Sequence, residues 1–265
     1  MVFAETNAAL AEDASRWDGD ARSAIRLIAG SRQEGGALYA GVQVRLRVGW
    51  HTYWRYPGDS GIPPQFDFGG SRNVRTVDVL WPAPQRIVEA GMTSIGYLVG
   101  VVFPLRVVPQ DASQPALVRL KLDYAVCEKL CVPAEGRGEL TVPAAGASQD
   151  RAIAASVGRV PKLRALGEGG TLAIKSVRVE AGPGRPRMVV DVAAPAGADV
   201  DLFAEGPTPK WALPVPSPVA AAPAGLRRFA FELDGAPPGE GYDRLRVTLT
   251  AVTATEAIEV TTRLD

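Results

Sequence analysis

The chain contains only two cysteines, Cys127 and Cys131, and their spacing allows a disulfide between them. The residues before Cys127 alternate apolar and charged side chains, which predicts a half-buried strand. Residues 128–130 can then form a three-residue hairpin loop that holds the two Cα atoms within disulfide range. A ring of five residues adds only about 2 kcal/mol to stability on the loop-entropy model. Such a bridge is best explained by its reactivity, and the pair is the first candidate active site.

A second segment, 49–64, is dense in rings and turns. So many aromatic rings in a short segment are typical either of residues packed in a protein core or of a surface that contacts another molecule. His51 is the sole histidine, and its simplest role is that of a hydrogen-bonded structural residue. An imidazolium near sulfur would instead favour the thiolate. Lys129 and Arg55 are the other candidate cations. The rings of this segment are Trp50, His51, Tyr53, Trp54 and Tyr56.

Composition and motifs exclude several functions. Lys plus Arg and Asp plus Glu both number 29, so no basic surplus indicates binding to nucleic acid. The sequence has no serine-hydrolase elbow, no zinc-protease motif and no phosphate-binding glycine loop. One histidine and two cysteines do not make an ordinary four-ligand zinc site, and no metal is expected. The longest apolar stretch, 95–105, is too short and too broken by glycine and proline to cross a bilayer.

The spacing of apolar runs predicts an all-β protein. In the first half, six or seven short strands separated by Pro/Gly-rich turns are typical of an immunoglobulin-like sandwich. They are expected at 24–29, 42–48, 73–81, 98–108, 116–126 and 136–142.

The sequence of the second half predicts another sandwich, which follows a segment of different pattern. Residues 152–157 have a helical composition, with Ser148 or Asp150 as candidate N-cap, and Gly158 and Pro161 end the helix. We therefore expect two tandem immunoglobulin-like β-sandwich domains, 20–145 and 170–265, joined by a short helical linker at 146–169. The strands of the second half are expected at 172–179, 188–192, 200–204, 211–215, 228–233, 245–251 and 258–262.

The beginning of the chain indicates a compartment. Val2 and Ala4 before Glu5 match the small-residue pattern of a signal-peptidase site, although the charged and apolar segments that precede such a site are missing. An ordinary unstructured start is the alternative. Two close cysteines in a chain without others also suit an oxidising compartment. We expect a periplasmic location.

Four motifs in this order carry a resemblance to a known family: the aromatic segment 50–64, Trp81-Pro-Ala-Pro84, Gly96-Tyr97 and the segment 124–133 with both cysteines. Together they resemble the periplasmic N-terminal region of the DsbD/ScsB thiol:disulfide interchange proteins, and are closer to the ScsB branch. The resemblance implies either a stand-alone homologue or the ectodomain of a larger membrane protein.

The resemblance also implies a function and roles for residues. Cys127 and Cys131 match the redox pair, which exchanges disulfides without a dissociable cofactor. Electrons would come from a membrane-embedded DsbD/ScsB-type donor and pass to thioredoxin-fold periplasmic proteins, including disulfide isomerases and cytochrome c maturation factors. The other residues implied for the site are the cap loop 92–98 with Met92, Ile95 and Tyr97, and the flanking His51 and Tyr53.

The chain departs from the family at the cap, and two other functions stay open. The DsbD branch has an acidic pair and a phenylalanine before its cap glycine, whereas this chain has Met92-Thr-Ser-Ile95. How this chain handles protons is therefore open.

One alternative function is an immunoglobulin-like adaptor with a structural disulfide. The other is a Cu(I) site on two thiolates for copper tolerance, although three methionines and one histidine supply it poorly.

Overall fold

The structure, a computed structural model, describes residues 13–32, 36–89, 91–142, 148–182, 184–220, 222–242 and 245–264. These residues form strands, turns and one helix. The all-β class and the immunoglobulin-like sandwich fold are confirmed. The signal-peptidase-like pattern at 2–5 lies outside the described residues.

The first half forms two facing sheets. One has the strand order β1-β2-β3-β9-β6 and the other has the order β11-β10-β4-β8-β7, with β5 paired to β10. Apolar side chains from both sheets, such as Leu27, Phe103 and Leu122, are fully buried between them. The strands are β1 (Asp18–Gly19), β2 (Ser23–Arg32), β3 (Leu38–Leu46), β4 (His51–Gly58), β5 (Gln65–Asp67), β6 (Val74–Val79), β7 (Gln85–Glu89), β8 (Met92–Tyr97), β9 (Val101–Pro109), β10 (Ala116–Cys127) and β11 (Cys131–Val142).

More strands are present here than the six or seven expected, and one of them replaces the implied cap loop. The aromatic segment is strand β4, which pairs with β10 and β8. Its rings alternate between two buried faces, so the polar alternation that marks a half-buried strand is missing. The predicted cap loop is strand β8, which forms a hairpin with β7. A Cβ at Gly96 would lie 2.0 Å from the Thr52 carbonyl oxygen, so glycine at this position lets β8 approach β4.

The described part of the chain contains a single helix, α1 (Asp150–Val157), which lies on the first sandwich. The Ser156 hydroxyl donates to the Val102 carbonyl of β9. The predicted cap is wrong: Gln149 is the N-cap residue and its side chain makes no cap hydrogen bond. The Asp150 carboxylate instead accepts the Ser31 amide at 2.6 Å, which ties the helix to β2. No helix in the described ranges is long and apolar enough to span a membrane.

The second half also forms two sheets, of order β12-β19-β18-β15 and β13-β14-β17-β16. The predicted strand at 211–215 is wrong, because this proline-rich stretch is irregular. Trp211 is nevertheless buried in the core, as expected. The strands are β12 (Lys162–Leu163), β13 (Ala173–Glu180), β14 (Arg187–Ala193), β15 (Asp201–Glu205), β16 (Ser217–Val219), β17 (Leu226–Glu232), β18 (Arg246–Val252) and β19 (Ala257–Arg263).

The two sandwiches meet at β4. Phe203 of β15 is fully buried in the core cluster of the first sandwich, and its ring centroid lies 6.1 Å from that of Trp54. Arg55 donates to Glu205 at 2.9 and 2.7 Å and also contacts Glu259. Strand β4, which carries the aromatic rings, is therefore in contact with both sandwiches. The domain division at 145 and 170 stays a prediction.

Candidate functional site

The two cysteines face each other at the ends of β10 and β11. They are direct partners in the antiparallel register, joined by residues 128–130, and they form a disulfide. The predicted three-residue hairpin is thus confirmed. The two sulfur-bearing residues differ in exposure, because Cys127 is 3% exposed whereas Cys131 belongs to the exposed residues. Cys131 is therefore the exposed residue of the bridge, and Cys127 is the buried one.

The disulfide lies on the outer face of its sheet. Along β10, Leu122, Tyr124 and Val126 point into the sandwich core. Cys127 instead belongs to a small separate cluster with Ala125 and Tyr53. A β-strand sends successive side chains to opposite faces, so the end of the predicted half-buried strand turns Cys127 away from the main core.

Tyr53 contacts both sulfurs. Its hydroxyl lies 2.7 Å from Cys127 Sγ and 3.0 Å from Cys131 Sγ. A disulfide sulfur carries no hydrogen, so the tyrosine is the donor. Burial raises the pKa of Tyr53, and the negative charge of Glu89 adds to this, so the hydroxyl keeps its proton at neutral pH. Gly61, at φ +129°, packs on the ring of Tyr53, where a Cβ would lie 2.3 Å from a ring carbon.

His51 is the cross-strand neighbour of Cys127. The two residues are Cα partners in the pairing of β4 with β10, so their side chains emerge side by side on the same face. His51 is 2% exposed, and neither ring nitrogen has a hydrogen-bond partner among the described residues. Its Nδ1 lies 3.9 Å from Glu89 Oε1. Burial lowers the pKa of His51, which the charge of Glu89 opposes, so the imidazole is neutral at pH 7.

The β7–β8 hairpin forms the other wall of the site. Glu89, Met92 and Ser94 line a cleft of about 510 Å³ together with the disulfide hairpin and the side chains of β4. Of the predicted cap residues, only Met92 lies here, and half of its surface is exposed. Ile95 and Tyr97 are on the opposite face of β8 and are buried in the core. The segment implied as a cap loop is thus strand β8 of the β7–β8 hairpin, and one face of this strand lines the cleft.

The predicted cations are divided between two places. Lys129 and Glu128 line the cleft from the disulfide loop. Arg55 does not, because its guanidinium is held by Glu205 and Glu259 at the contact between the sandwiches. Within the described ranges, the cleft is therefore lined by the carboxylates of Glu89 and Glu128, the ammonium group of Lys129 and the neutral imidazole of His51. Among the described residues, no three His, Cys, Asp or Glu side chains are grouped as metal ligands.

Glu89 is a cleft residue that sequence reasoning missed, and Ser94 was included only as part of the cap segment 92–98. Both reach the disulfide because β7, β8, β4 and β10 are neighbours in one sheet. The signal for Ser94 was the alternation of residues 92–97, which predicts a strand with Met92 and Ser94 on one face. Glu89 supplies an acid close to the position where the sequence departs from the acidic pair of the resembling family.

Comparisons with known proteins identify the family and the fold. Residues 22–143 match the family model described as thiol:disulfide interchange protein DsbD, N-terminal. The fold is similar to the crystal structure of the N-terminal periplasmic domain of ScsB from Proteus mirabilis, with a TM-score of 0.73. That alignment covers 95% of this chain and 98% of the other at 17% sequence identity. A comparison with curated proteins gives no significant match.

The family match spans the whole first sandwich from β2 onward, and with it the disulfide, the two side chains of β4 and the β7–β8 hairpin. The structural similarity extends over the second sandwich as well. The family resemblance predicted from the four motifs is confirmed. Residues 22–143 therefore form an N-terminal domain of the DsbD thiol:disulfide interchange family.

Proposed function

We propose that this protein relays electrons in the periplasm, from a membrane-embedded donor of the DsbD/ScsB type to oxidised proteins of thioredoxin fold. The observation that carries the proposal is the unequal exposure of the two cysteines in a lined cleft. Cys131 is exposed, whereas Cys127 is buried in a cluster with Tyr53 and has His51 as its cross-strand partner. A purely structural bridge needs no such cleft and contributes little stability across so short a loop.

The relay proceeds by two exchanges. A donor thiolate attacks Cys131 Sγ, the Cys127–Cys131 bond breaks, and Cys127 leaves as a thiolate that the Tyr53 hydroxyl can stabilise. The donor's second thiol then resolves the mixed disulfide and leaves this protein reduced. In the second exchange, the Cys131 thiolate attacks a client disulfide, and Cys127 releases the reduced client by reforming the bridge. Disulfide isomerases, cytochrome c maturation factors and copper-stress proteins are the client classes that the family resemblance suggests.

The test combines a redox titration with trapping. We expect the bridge to equilibrate with glutathione at a potential above about −300 mV, because bridges below that value resist reduction and behave as structural. A C127A variant keeps the exposed thiol and should accumulate mixed disulfides with thioredoxin-fold proteins from periplasmic extract. The matched C131A variant, with only the buried thiol, should trap far less. A bridge that resists reduction, with neither variant trapping any such protein, would support the adaptor instead.

The β7–β8 hairpin should control access to the pair. Replacing Met92 by alanine removes a half-exposed side chain from the cleft wall. We expect iodoacetamide to modify the reduced cysteines several-fold faster in M92A than in wild type, because the thiolate must be both ionised and reachable. Alanine at Val179, which is 40% exposed on the second sandwich, is the control. Equal alkylation rates in M92A and wild type would remove the shielding role.

A further inference from the structure

We propose that His51 is the proton acceptor for Cys127 in the step that releases a client, with Glu89 stabilising the imidazolium. The inference rests on the proposed relay and deepens it by naming the group that handles the proton. Cys127 is buried, and burial in apolar surroundings disfavours the thiolate it must become. A buried resolving thiol therefore needs a base within the site.

The sheet places His51 beside Cys127. It is the direct cross-strand partner of Cys127, which puts the two Cβ atoms about 5 Å apart. Both of its ring nitrogens are buried without hydrogen-bond partners in the described part of the chain. Buried polar groups are normally hydrogen-bonded, and each exception in a native structure calls for an explanation. A proton received from a neighbouring thiol supplies one.

The surroundings of His51 determine which charge states it can adopt. Burial lowers the pKa of its imidazole, so in the oxidised protein the ring is neutral and able to accept a proton. Once protonated, it faces the Glu89 carboxylate, 3.9 Å from Nδ1. The other ionisable groups that line the same cleft are Tyr53 on β4, Glu128 and Lys129 in the disulfide loop, and the two cysteines.

The resolving step balances without any further reactant. At its start, Cys131 is joined to the client sulfur and Cys127 is a thiol. His51 takes the thiol proton, and the Cys127 thiolate attacks Cys131 Sγ. The Cys127–Cys131 bond forms while the Cys131–client bond breaks, and the bonding electron pair leaves with the client sulfur. The imidazolium then releases its proton to water. The client disulfide is the oxidant and the dithiol of this protein is the reductant.

The test separates the two exchanges with one probe. Reduced full-length protein is mixed with 5,5′-dithiobis(2-nitrobenzoate), which releases one chromophore when a thiol attacks and a second when the other cysteine resolves. The second phase is intramolecular, so its rate does not depend on probe concentration. In wild type we expect it to rise with pH through the pKa of His51, because only the neutral imidazole accepts a proton.

An H51Q variant keeps a side chain of similar length but has no base at neutral pH. We expect its second phase to be slower by about 100-fold at pH 7, the lower end of the contribution of a positioned general base. The difference should vanish above the pKa of the Cys127 thiol, where no base is needed. The first phase, which belongs to exposed Cys131, should change little and serves as the internal control.

An unchanged pH profile of the second phase in H51Q would overturn the role of His51 while leaving the relay intact. A wild-type protein that shows no second phase at all would count against the relay itself. If H51Q does not fold, E89Q provides the measurement with His51 in place. Loss of the carboxylate lowers the pKa of His51 further, so the second phase should slow and its midpoint should move to lower pH. An unshifted midpoint in E89Q would also overturn the proposal.

Discussion

A C127A/C131A double variant is expected to lose all disulfide exchange while its free energy of unfolding falls by only about 2 kcal/mol. The bridge closes a ring of five residues, and the twelve-residue register of β10 with β11 holds the same two chain ends together without it. Chemical denaturation measures the free energy, and reduction of a thioredoxin-fold disulfide substrate measures the exchange.

Wild-type protein kept reduced by dithiothreitol is the matched control for this variant. Its free energy of unfolding should fall by a similar amount, because it lacks the same covalent bond but retains both side chains. A double variant that does not fold, or that loses much more stability than the reduced wild type, would show that the bridge is structural. The immunoglobulin-like adaptor would then be the better account of the protein.

The second large effect is expected from a residue outside the family-matched segment. Phe203, on β15, is fully buried against Trp54 of β4, and the guanidinium of Arg86 lies 5.8 Å from its ring. An F203A variant leaves a cavity at this contact and should lose about 3–5 kcal/mol of stability. Because Trp54 follows Tyr53 on the same strand, amide hydrogen exchange in β4 should also accelerate.

A V219A variant is the control for this prediction. Val219 lies on β16 of the second sandwich and is 37% exposed, so its truncation should cost less than about 0.5 kcal/mol. If F203A accelerated hydrogen exchange only in the second sandwich, the two sandwiches would be energetically independent. If β4 responds, the second sandwich supports the strand that carries His51 and Tyr53.

Local pattern determined the disulfide hairpin and most of the strands. Side chains alternate along 116–126, three residues separate the cysteines, and Pro/Gly turns divide the apolar runs. Each of these signals depends on residues close in sequence, since period-two alternation and turn chemistry are local properties of the backbone. The family resemblance rested on ordered motifs of the same local kind, and it assigned the redox role to a cysteine pair that spacing had already singled out.

Local pattern did not predict strands β4 and β8, in which apolar and polar side chains do not alternate clearly. Strand β4 buries rings on both faces, so it was not among the expected strands. Strand β8 was expected as a cap loop, whereas Gly96 within it allows close packing on β4. In both cases the burial of a face depends on partners elsewhere in the chain, which no local pattern reports.

Only the tertiary structure decided how the site is assembled. The pairing of β4 with β10 set His51 beside Cys127, and the pairing of β8 with β7 and β4 brought Glu89 into the same cleft. Glu89 lies 38 residues before Cys127 in the sequence. Sheet order is fixed by the cooperative burial of both faces, so a residue's neighbours across strands follow from the whole fold. The sequence by itself identified the two cysteines as a pair that can form a disulfide, and the sheet decided which groups surround them.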